Sequence, residues 1–307
     1  MAQRETSIKA GAIAQELRPR PSVWKRLATT ARHKPLGAVS AIIIIILVAM
    51  AISADVIAPY PPNEVHAAAA FKSPGAVYQG TNLLFGADEL GRDIFSRILY
   101  GARISLWVGV MAVGLGVSSG SVVGLISGFF EGKVDIVIQR IVDTVMAFPA
   151  LILALALMAM LGPSITNVMI AVAVAIAPAD SRIVRGAVLS VKQNAYVDAA
   201  RCIGATNMRI LFRHILPNVT APILIIASVW LGNAIILEAS LSFLGVGTPP
   251  PNPSWGAMLS SSGRTYMERA PHIAIFPGLA ISMVVLSFNL LGDTLRDIWD
   301  PRLRGSQ

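Results

Sequence analysis

Six long apolar runs dominate the sequence, and each is close to the length that a helix needs to cross a lipid bilayer. A hydrocarbon core of about 30 Å requires roughly 20 apolar helical residues. The composition agrees, since 54% of the residues are hydrophobic, 14% are charged and the mean hydropathy is +0.65. We therefore predict a polytopic all-α membrane protein with six transmembrane helices. The predicted spans cover residues 36–57, 104–130, 144–161, 165–183, 219–244 and 273–291.

The basic residues are unevenly distributed between the two sides of this six-span topology. Only six of the 25 Lys and Arg residues fall on one side. They are Lys72, Arg92, Arg97, Arg103, Arg264 and Arg269. Because cytoplasmic loops of membrane proteins carry an excess of Lys and Arg, we expect both termini and the segment 196–218 to lie in the cytoplasm. Topology then accounts for the net charge of +8, and we expect no binding of nucleic acid.

The second predicted span carries a glycine at every fourth position, which places these glycines on one face of a helix. They are Gly116, Gly120, Gly124 and Gly128. Small residues with this spacing let another helix approach closely, so that van der Waals contacts hold the two helices together in lipid. We favour packing against a neighbouring helix of the same chain, and dimerisation is the alternative.

Glu238 is an ionisable residue well inside a predicted span, within the string NAIILEASLSFLG of the fifth apolar run. A carboxylate at this depth is costly and normally faces protein or a watery cavity. One interpretation is that Glu238 lines or gates a transport pathway. The other is a hydrogen-bonded structural carboxylate at a contact between helices, and the sequence favours neither.

A polar and basic segment, residues 196–218, separates the fourth and fifth spans and nevertheless has helical spacing. Gly204 can end one short helix in a left-handed cap conformation, and Thr206 can cap the next helix. In that second helix an apolar stripe recurs every three or four residues, and we expect Pro217 to stop the helix before the fifth span. The stripe consists of Met208, Leu211, Phe212 and Ile215. An exposed stripe of this kind predicts binding either to a partner groove or to the bilayer surface.

This segment contains the string DAARCIGATNMRILFRHILP, which resembles the EAA loop of bacterial binding-protein-dependent ABC importers, with the pattern E-A-A-x3-G-x9-I-x-L-P. Asp198 replaces the Glu of the pattern, and His214 replaces its first Ile. In that family the loop forms coupling helices that seat in a groove of a separate ATPase, and the resemblance implies the same role here. The implied coupling residues are Tyr196, Asp198, Ala199, Ala200, Gly204, Ala205, Met208, Arg209, Leu211, Phe212, Leu216 and Pro217.

Three further strings resemble the second (C-type) permease subunit of dipeptide, oligopeptide and nickel importers. They are FGADELGRDIFSRILYGARISL, LSFLGVGTPPPNPSWGAML and FNLLGDTLRDIWDPRLR. The resemblance implies six transmembrane helices with a cytoplasmic coupling loop between helices 4 and 5. It also implies a cytoplasmic N-terminal tail at residues 1–35, a first transmembrane helix and periplasmic loop at 36–103, and a permease core of five transmembrane helices at 104–307.

No motif in the sequence predicts catalysis or metal binding. The sequence has no G-x4-G-K-[ST] phosphate loop and no H-E-x-x-H pair, and its one cysteine, Cys202, can form neither a paired-cysteine metal site nor an internal disulfide. We therefore expect a transport subunit and not an enzyme. It should bind no cofactor of its own, with ATP and Mg held by partner ATPase subunits.

The resemblance implies a permease of the bacterial inner membrane that moves di- or oligopeptides to the cytoplasm by alternating access. The implied partners are a homologous second permease, one or two ABC ATPase subunits, a periplasmic or extracellular binding protein and the lipid bilayer. We assign the docking of the binding protein to the outer loops 59–103 and 245–271. Nickel, glutathione or another small solute is the alternative cargo. A secondary transporter or a membrane scaffold is the alternative from a different class.

Overall fold

The computed structural model of the protein describes residues 32, 34–260 and 264–299, which form mainly α-helices. In the first half of the chain these are α1 Pro35–Ile52, α2 Ala54–Ile57, α3 Ile94–Phe130, α4 Gly132–Met146, α5 Ala150–Leu161 and α6 Ile165–Lys192. The second half contains α7 Ala195–Cys202, α8 Asn207–Ile210, a π-helical turn Leu211–Ile215, α9 Leu216–Phe243, α10 Trp255–Met258, α11 Arg264–Tyr266 and α12 His272–Trp299. The prediction of a polytopic all-α fold is confirmed.

Five helical stretches of the described residues are long and apolar enough to cross a membrane: α1, α3, α6, the continuous helix Asn207–Phe243, and α12. The third predicted span, residues 144–161, covers the end of α4 and the whole of α5. The chain bends by 86° between α4 and α5, so the count of six spans holds only if this bent pair is one span. Pro149 is the N-cap of α5, and a residue before proline avoids the helical conformation, which accounts for the break.

The helices also extend beyond the predicted spans. Helix α3 begins at Ile94, ten residues before the predicted start, where the Asp93 carboxylate accepts a hydrogen bond from the Ser96 backbone N–H at 2.8 Å. Its 37 residues correspond to about 56 Å, far more than the hydrocarbon core. Helix α6 likewise continues nine residues past the predicted end, to Lys192. Apolarity marks the part of each helix in lipid, whereas hydrogen-bonded caps decide where the helix ends.

All four glycines of the α3 face lie against α6 of the same chain. A methyl group added at Gly116, Gly120 or Gly128 would come within 3.0 Å of the backbone carbonyl oxygens of Ala173, Ala177 and Arg185 respectively. Gly124 is packed in the same way against the carbonyl of Ser181. The arrangement is the intramolecular packing that the sequence favoured. Glycine lets the two backbones approach to a distance that any side chain would prevent.

The outer loop between α2 and α3 contains a β-hairpin that the sequence did not predict. Strands β1 Ala76–Tyr78 and β2 Thr81–Leu83 pair antiparallel, and a 3-10 turn at Ala67–Ala69 precedes them. The two residues between the strands, Gln79 and Gly80, both have positive φ angles, as the mirror-image turns of tight hairpins require. Three residues per strand give too little alternation for a sequence pattern to reveal.

Hydrogen bonds hold this outer loop to the helices. The guanidinium of Arg97 donates to the Pro62 carbonyl at 2.9 Å, and the Asp88 carboxylate accepts from the backbone and side chain of Arg92. In α2, Asp55 accepts from both Arg103 and Tyr100 of α3. The hydrogen bond from Arg103 is the main reason why the pKa of Asp55 is lowered, and the carboxyl is therefore ionised at neutral pH.

The glycine face can be tested by adding a single methyl group at a packed and at an open position of the same helix. We expect Gly120→Ala to destabilise the protein by about 1–3 kcal/mol, because the new Cβ lies 2.5 Å from the Ala177 carbonyl oxygen. Gly114→Ala is the matched control, since nothing lies within 4 Å of its Cβ position. Thermal unfolding of the detergent-solubilised protein would measure both. Equal midpoints for the two variants would contradict the close contact between α3 and α6.

Candidate functional site

The segment between α6 and α9, residues 193–215, forms the helix-turn-helix that the sequence predicted; we refer to it as the coupling loop. Helix α7 ends at Cys202 with Ile203 as its C-cap, and the following Gly204 has a φ angle of +81°. The backbone N–H groups of Gly204 and Ala205 donate to the carbonyls of Arg201 and Ala200, the pattern of a Schellman cap. The Thr206 hydroxyl then accepts from the Arg209 backbone N–H at 3.4 Å and caps α8. The predicted roles of Gly204 and Thr206 are therefore confirmed.

A small apolar core holds the coupling loop against α3 and α6. Its buried residues are Phe129, Val184, Val188, Val197, Ala200, Ile210, Leu211, Ile215 and Val219. The residues from α7, α8 and the π-turn thus share one cluster with residues near the ends of α3 and α6. The loop is consequently packed as part of the helical bundle, and a displacement of the loop would move α6 with it.

The predicted exposed stripe is only partly exposed, and this is a correction. Leu211 and Ile215 are 7% and 0% exposed and belong to the core beneath the loop. Met208 and Phe212 are each 61% exposed and face outward. The π-turn rotates the helix faces relative to a regular 3.6-residue period, so that the four positions no longer share one face. Of the predicted coupling residues, Leu211 supports the loop from within the core and does not face outward.

Ile203 is an outward-facing residue that the sequence analysis missed. It is 85% exposed, more than Met208 or Phe212, and it lies directly before Gly204 at the tip of the loop. A large apolar residue at a helix C-cap next to a positive-φ glycine was the available signal, since the cap leaves no neighbour to cover it. Tyr196, 43% exposed, completes the outward apolar set of the loop.

The expectation that Pro217 stops the helix is wrong. Helix α8, the π-turn and α9 form one continuous helix, Asn207–Phe243. In the π-turn the Leu216 N–H donates to the Leu211 carbonyl, five residues earlier, and Pro217 occupies the first turn of α9. The Asn218 side chain also donates to the His214 carbonyl at 2.6 Å. A wider turn before the proline relieves its clash with the preceding turn, so no break is needed.

The two arms of the coupling loop enclose an open groove of about 490 Å³. Its lining residues are Tyr196, Ala199, Ala200, Ile203, Gly204, Ala205, Arg209, Arg213 and His214. Asp198 lies on the outer face of α7 and pairs with Arg201 at 3.3 Å, so the shorter carboxylate that departs from the EAA pattern is used within its own helix. The groove combines an apolar floor with arginines, a surface suited to a protein partner.

Glu238 is fully buried in α9, with 0% of its surface exposed. Its carboxylate accepts hydrogen bonds from the hydroxyls of Ser242 at 2.8 Å, Ser105 at 3.2 Å and Thr248 at 3.4 Å. These donors come from α9 itself, from α3 and from the outer loop after α9. The surroundings of Glu238 are those of the structural alternative, a hydrogen-bonded carboxylate at a contact between helices.

The same hydrogen-bond network fixes the outer loop that follows α9. The Ser105 hydroxyl accepts from the backbone N–H of Trp255 at 3.3 Å, and the Trp255 indole N–H donates to the Ile98 carbonyl at 3.1 Å. The Trp255 side chain is completely buried against Gly101 of α3. Helix α10 is therefore folded back onto α3, and Glu238 lies behind it.

Comparison with known protein families shows which family the chain belongs to. The model of the binding-protein-dependent transport system inner membrane component matches residues 120–305, more than half of the chain. The chain is a member of that permease family. A second model, the N-terminal transmembrane domain of oligopeptide transport permease C, matches residues 22–74. The chain is thus the permease subunit of an ABC importer of the dipeptide, oligopeptide and nickel type, a multi-pass inner-membrane protein and not an enzyme.

Curated relatives of this permease include the glutathione transport system permease protein GsiD of Escherichia coli O157:H7 and of Shigella boydii serotype 4. Each is 46% identical over 284 residues, which covers 92% of this chain and 90% of the relative. A solved structure, the inward-facing MetNI methionine ABC transporter, matches with a TM-score of 0.57 and 18% identity, over 66% of this chain and 97% of the other. That likeness supports the fold alone. Permeases of this family work with ATPase and binding-protein partners.

A structural role of Glu238 can be distinguished from a pathway role by substitution. We expect Glu238→Ala to lower the stability of the permease by about 2–4 kcal/mol, because three hydroxyls lose their acceptor in a buried site. Glu238→Gln keeps an acceptor oxygen, so we expect this variant to lose much less stability than Glu238→Ala. Glu268→Ala, at an exposed position, is the control. Thermal unfolding and uptake should be measured together, and a loss of uptake at unchanged stability would instead favour the pathway role.

Proposed function

We propose that this permease imports short peptides, with glutathione as the specific candidate. The observation that carries the proposal is the 46% identity to glutathione transport permeases, which extends over 92% of the chain and includes both the loops and the spans. Glutathione was the alternative to di- and oligopeptides in the sequence analysis, and it is itself a tripeptide. Nickel transport has no comparable support among these relatives.

The coupling loop is the proposed seat of the ATPase. Its outward residues Ile203, Met208 and Phe212 form an apolar surface beside the arginine-lined groove, while the buried residues tie the loop to α6 and α9. The ATPase subunits, and not this chain, bind ATP and Mg. When nucleotide closes the ATPase pair, the loop moves as a body, and α6 and α9 rotate with it to alternate the access of the pathway.

The proposed function also includes the other subunits of an ABC importer. A homologous second permease completes the pathway, and one or two kinds of ATPase subunit bind below the pair. The binding protein docks on the outer loops 59–103 and 245–271, where the hairpin and α10 give a firm surface. Both termini lie in the cytoplasm, on the side of the coupling loop, in agreement with the excess of Lys and Arg there.

The ATPase contact can be tested with substitutions that leave the interior of the loop intact. We expect Phe212→Glu and Met208→Glu to reduce recovery of the ATPase with the purified permease by at least about tenfold, since a carboxylate would have to be buried in the contact. Val65→Glu, an exposed apolar position on the outer loop, is the control. Because ATPases of importers lie in the cytoplasm, unchanged recovery of the ATPase would count against both the contact and the orientation.

The cargo can be tested by uptake into cells that lack their own glutathione importer. We expect the complete transporter to accumulate labelled glutathione, and an excess of an unlabelled tripeptide to compete. The Phe212→Glu transporter is the matched inactive control. Accumulation of nickel without accumulation of any tripeptide would overturn the proposed substrate, while leaving the family membership untouched.

A further inference from the structure

A polar groove of about 520 Å³ opens between α4 and α6, on the coupling-loop side of the apolar segments. Its lining residues are Asp135, Ile136, Gln139, Arg140, Asp143, Arg182 and Arg185. Its volume is in the range of sites for small ligands, about 300–1,000 Å³. It lies apart from the coupling-loop groove and from the Glu238 network, and it brings three guanidiniums and two carboxylates into one open space.

The charged groups of this groove cannot face lipid. Arg182 and Asp143 have 47% and 44% of their side chains exposed, and both lie in helices with membrane-spanning apolar segments. Ionised side chains within spans almost always face a bundle interior or a water-filled cavity, because exposure to hydrocarbon is costly. Helix α4, which lines one side of the groove, leads into the bend of 86° before α5. We therefore expect the groove to face water.

The two ion pairs of the groove differ in how firmly they are held. The Arg185 guanidinium donates two hydrogen bonds to Asp135, at 2.6 and 2.5 Å, and Ser127 also donates to that carboxylate. The Asp135 side chain is only 14% exposed. Arg182, in contrast, reaches Asp143 through one nitrogen. The Arg185–Asp135 pair is held firmly by several hydrogen bonds. The Arg182–Asp143 pair is exposed, so another charged group can bind to either of its members.

Arg140 adds a third guanidinium to the groove. Among the residues that the structure describes, no carboxylate lies within 4.0 Å of its guanidinium, and its side chain is exposed. At the open end of the groove, Arg140 and Arg182 can therefore bind a carboxylate, and Asp143 can bind an ammonium group. A short peptide with free ends carries both groups.

We propose that this groove is a transit site for zwitterionic short peptides on the cytoplasmic half of the pathway. Arg140 and Arg182 bind the carboxylates of the peptide, and Asp143 binds its ammonium. This inference rests on the proposed function and adds the residues that recognise the cargo. Because Arg182 and Arg185 lie on α6, which leads directly into the coupling loop, movement of the loop changes the spacing of the charges across the groove. Nucleotide binding and peptide release are thereby linked.

The test uses a cysteine reporter in the complete, nucleotide-free transporter in nanodiscs. Cys202 is first replaced by serine, and Ile136→Cys is introduced, because Ile136 is 61% exposed and lines the groove without a polar role. The rate of reaction with a charged methanethiosulfonate reagent is measured with and without S-methylglutathione, which has no free thiol. We expect saturating peptide to slow the reaction by at least about fivefold. Arg140→Gln should remove most of this protection.

Two controls make the expected result specific. Ile141→Cys on the same helix is 62% exposed but outside the groove, and it should react equally fast with and without peptide. A tripeptide with an acetylated amino end and an amidated carboxyl end should not protect Ile136→Cys, because it lacks the charges that the groove recognises.

Several results would overturn the inference. Absent protection in a transporter that still accumulates the peptide would refute the transit site and leave the proposed function standing. Equal protection by the blocked tripeptide would exclude recognition of charge. Protection without peptide in discs that contain phosphatidylethanolamine, but not in phosphatidylcholine discs, would make a lipid headgroup the occupant. Failure of the intact transporter to accumulate any peptide would remove both the inference and the proposed function.

Discussion

The close contact between α3 and α6 is the constraint on which the rest of this permease depends. Inside a bilayer there is no hydrophobic drive between helices, so packing must come from direct contact of backbones and small side chains. Four glycines of α3 meet successive carbonyls of α6 along this contact, from Ala173 to Arg185. Helix α3 also supplies Ser105 to the outer network and Phe129 to the core of the coupling loop. One helix thus joins the Glu238 network to the coupling loop.

The polar groups inside the bundle follow the same need for direct partners. Glu238 is tolerated because hydroxyls donate to it from segments far apart in the chain, among them Ser105, Ser242 and Thr248. Asp180 of α6 is also fully buried, and one of its oxygens accepts from Ser121 beside Gly120, so the glycine leaves room for a carboxyl at the contact. Through the hydroxyls of Ser105 and Ser121, α3 donates hydrogen bonds to the carboxyl groups of the neighbouring helices.

The sequence could predict features that rest on local chemistry or on length. The Gly204 cap depends on a positive φ angle that glycine adopts freely, and the glycine face depends on a four-residue period. The bend between α4 and α5 and the π-turn could not be predicted in the same way. Both depend on how the backbone accommodates a proline, Pro149 or Pro217, while the surrounding helices stay packed. Burial of Leu211 follows from that turn, whereas exposure of Ile203 follows from its position at the C-cap before Gly204. The partners of Glu238 required the fold, because Ser105 lies 133 residues away.

In the proposed mechanism, the packing of the coupling loop allows a small segment to move long helices. Buried residues on both arms, Val197 and Ile210 among them, join the loop to α6, while the continuous helix Asn207–Phe243 leaves no hinge at Pro217. A force applied at Met208 or Phe212 therefore acts on a lever whose far end reaches the Glu238 network near the outer surface. A flexible linker at Pro217 would absorb the same force locally. The π-turn keeps the proline of the EAA pattern while preserving the stiffness that coupling across a membrane requires.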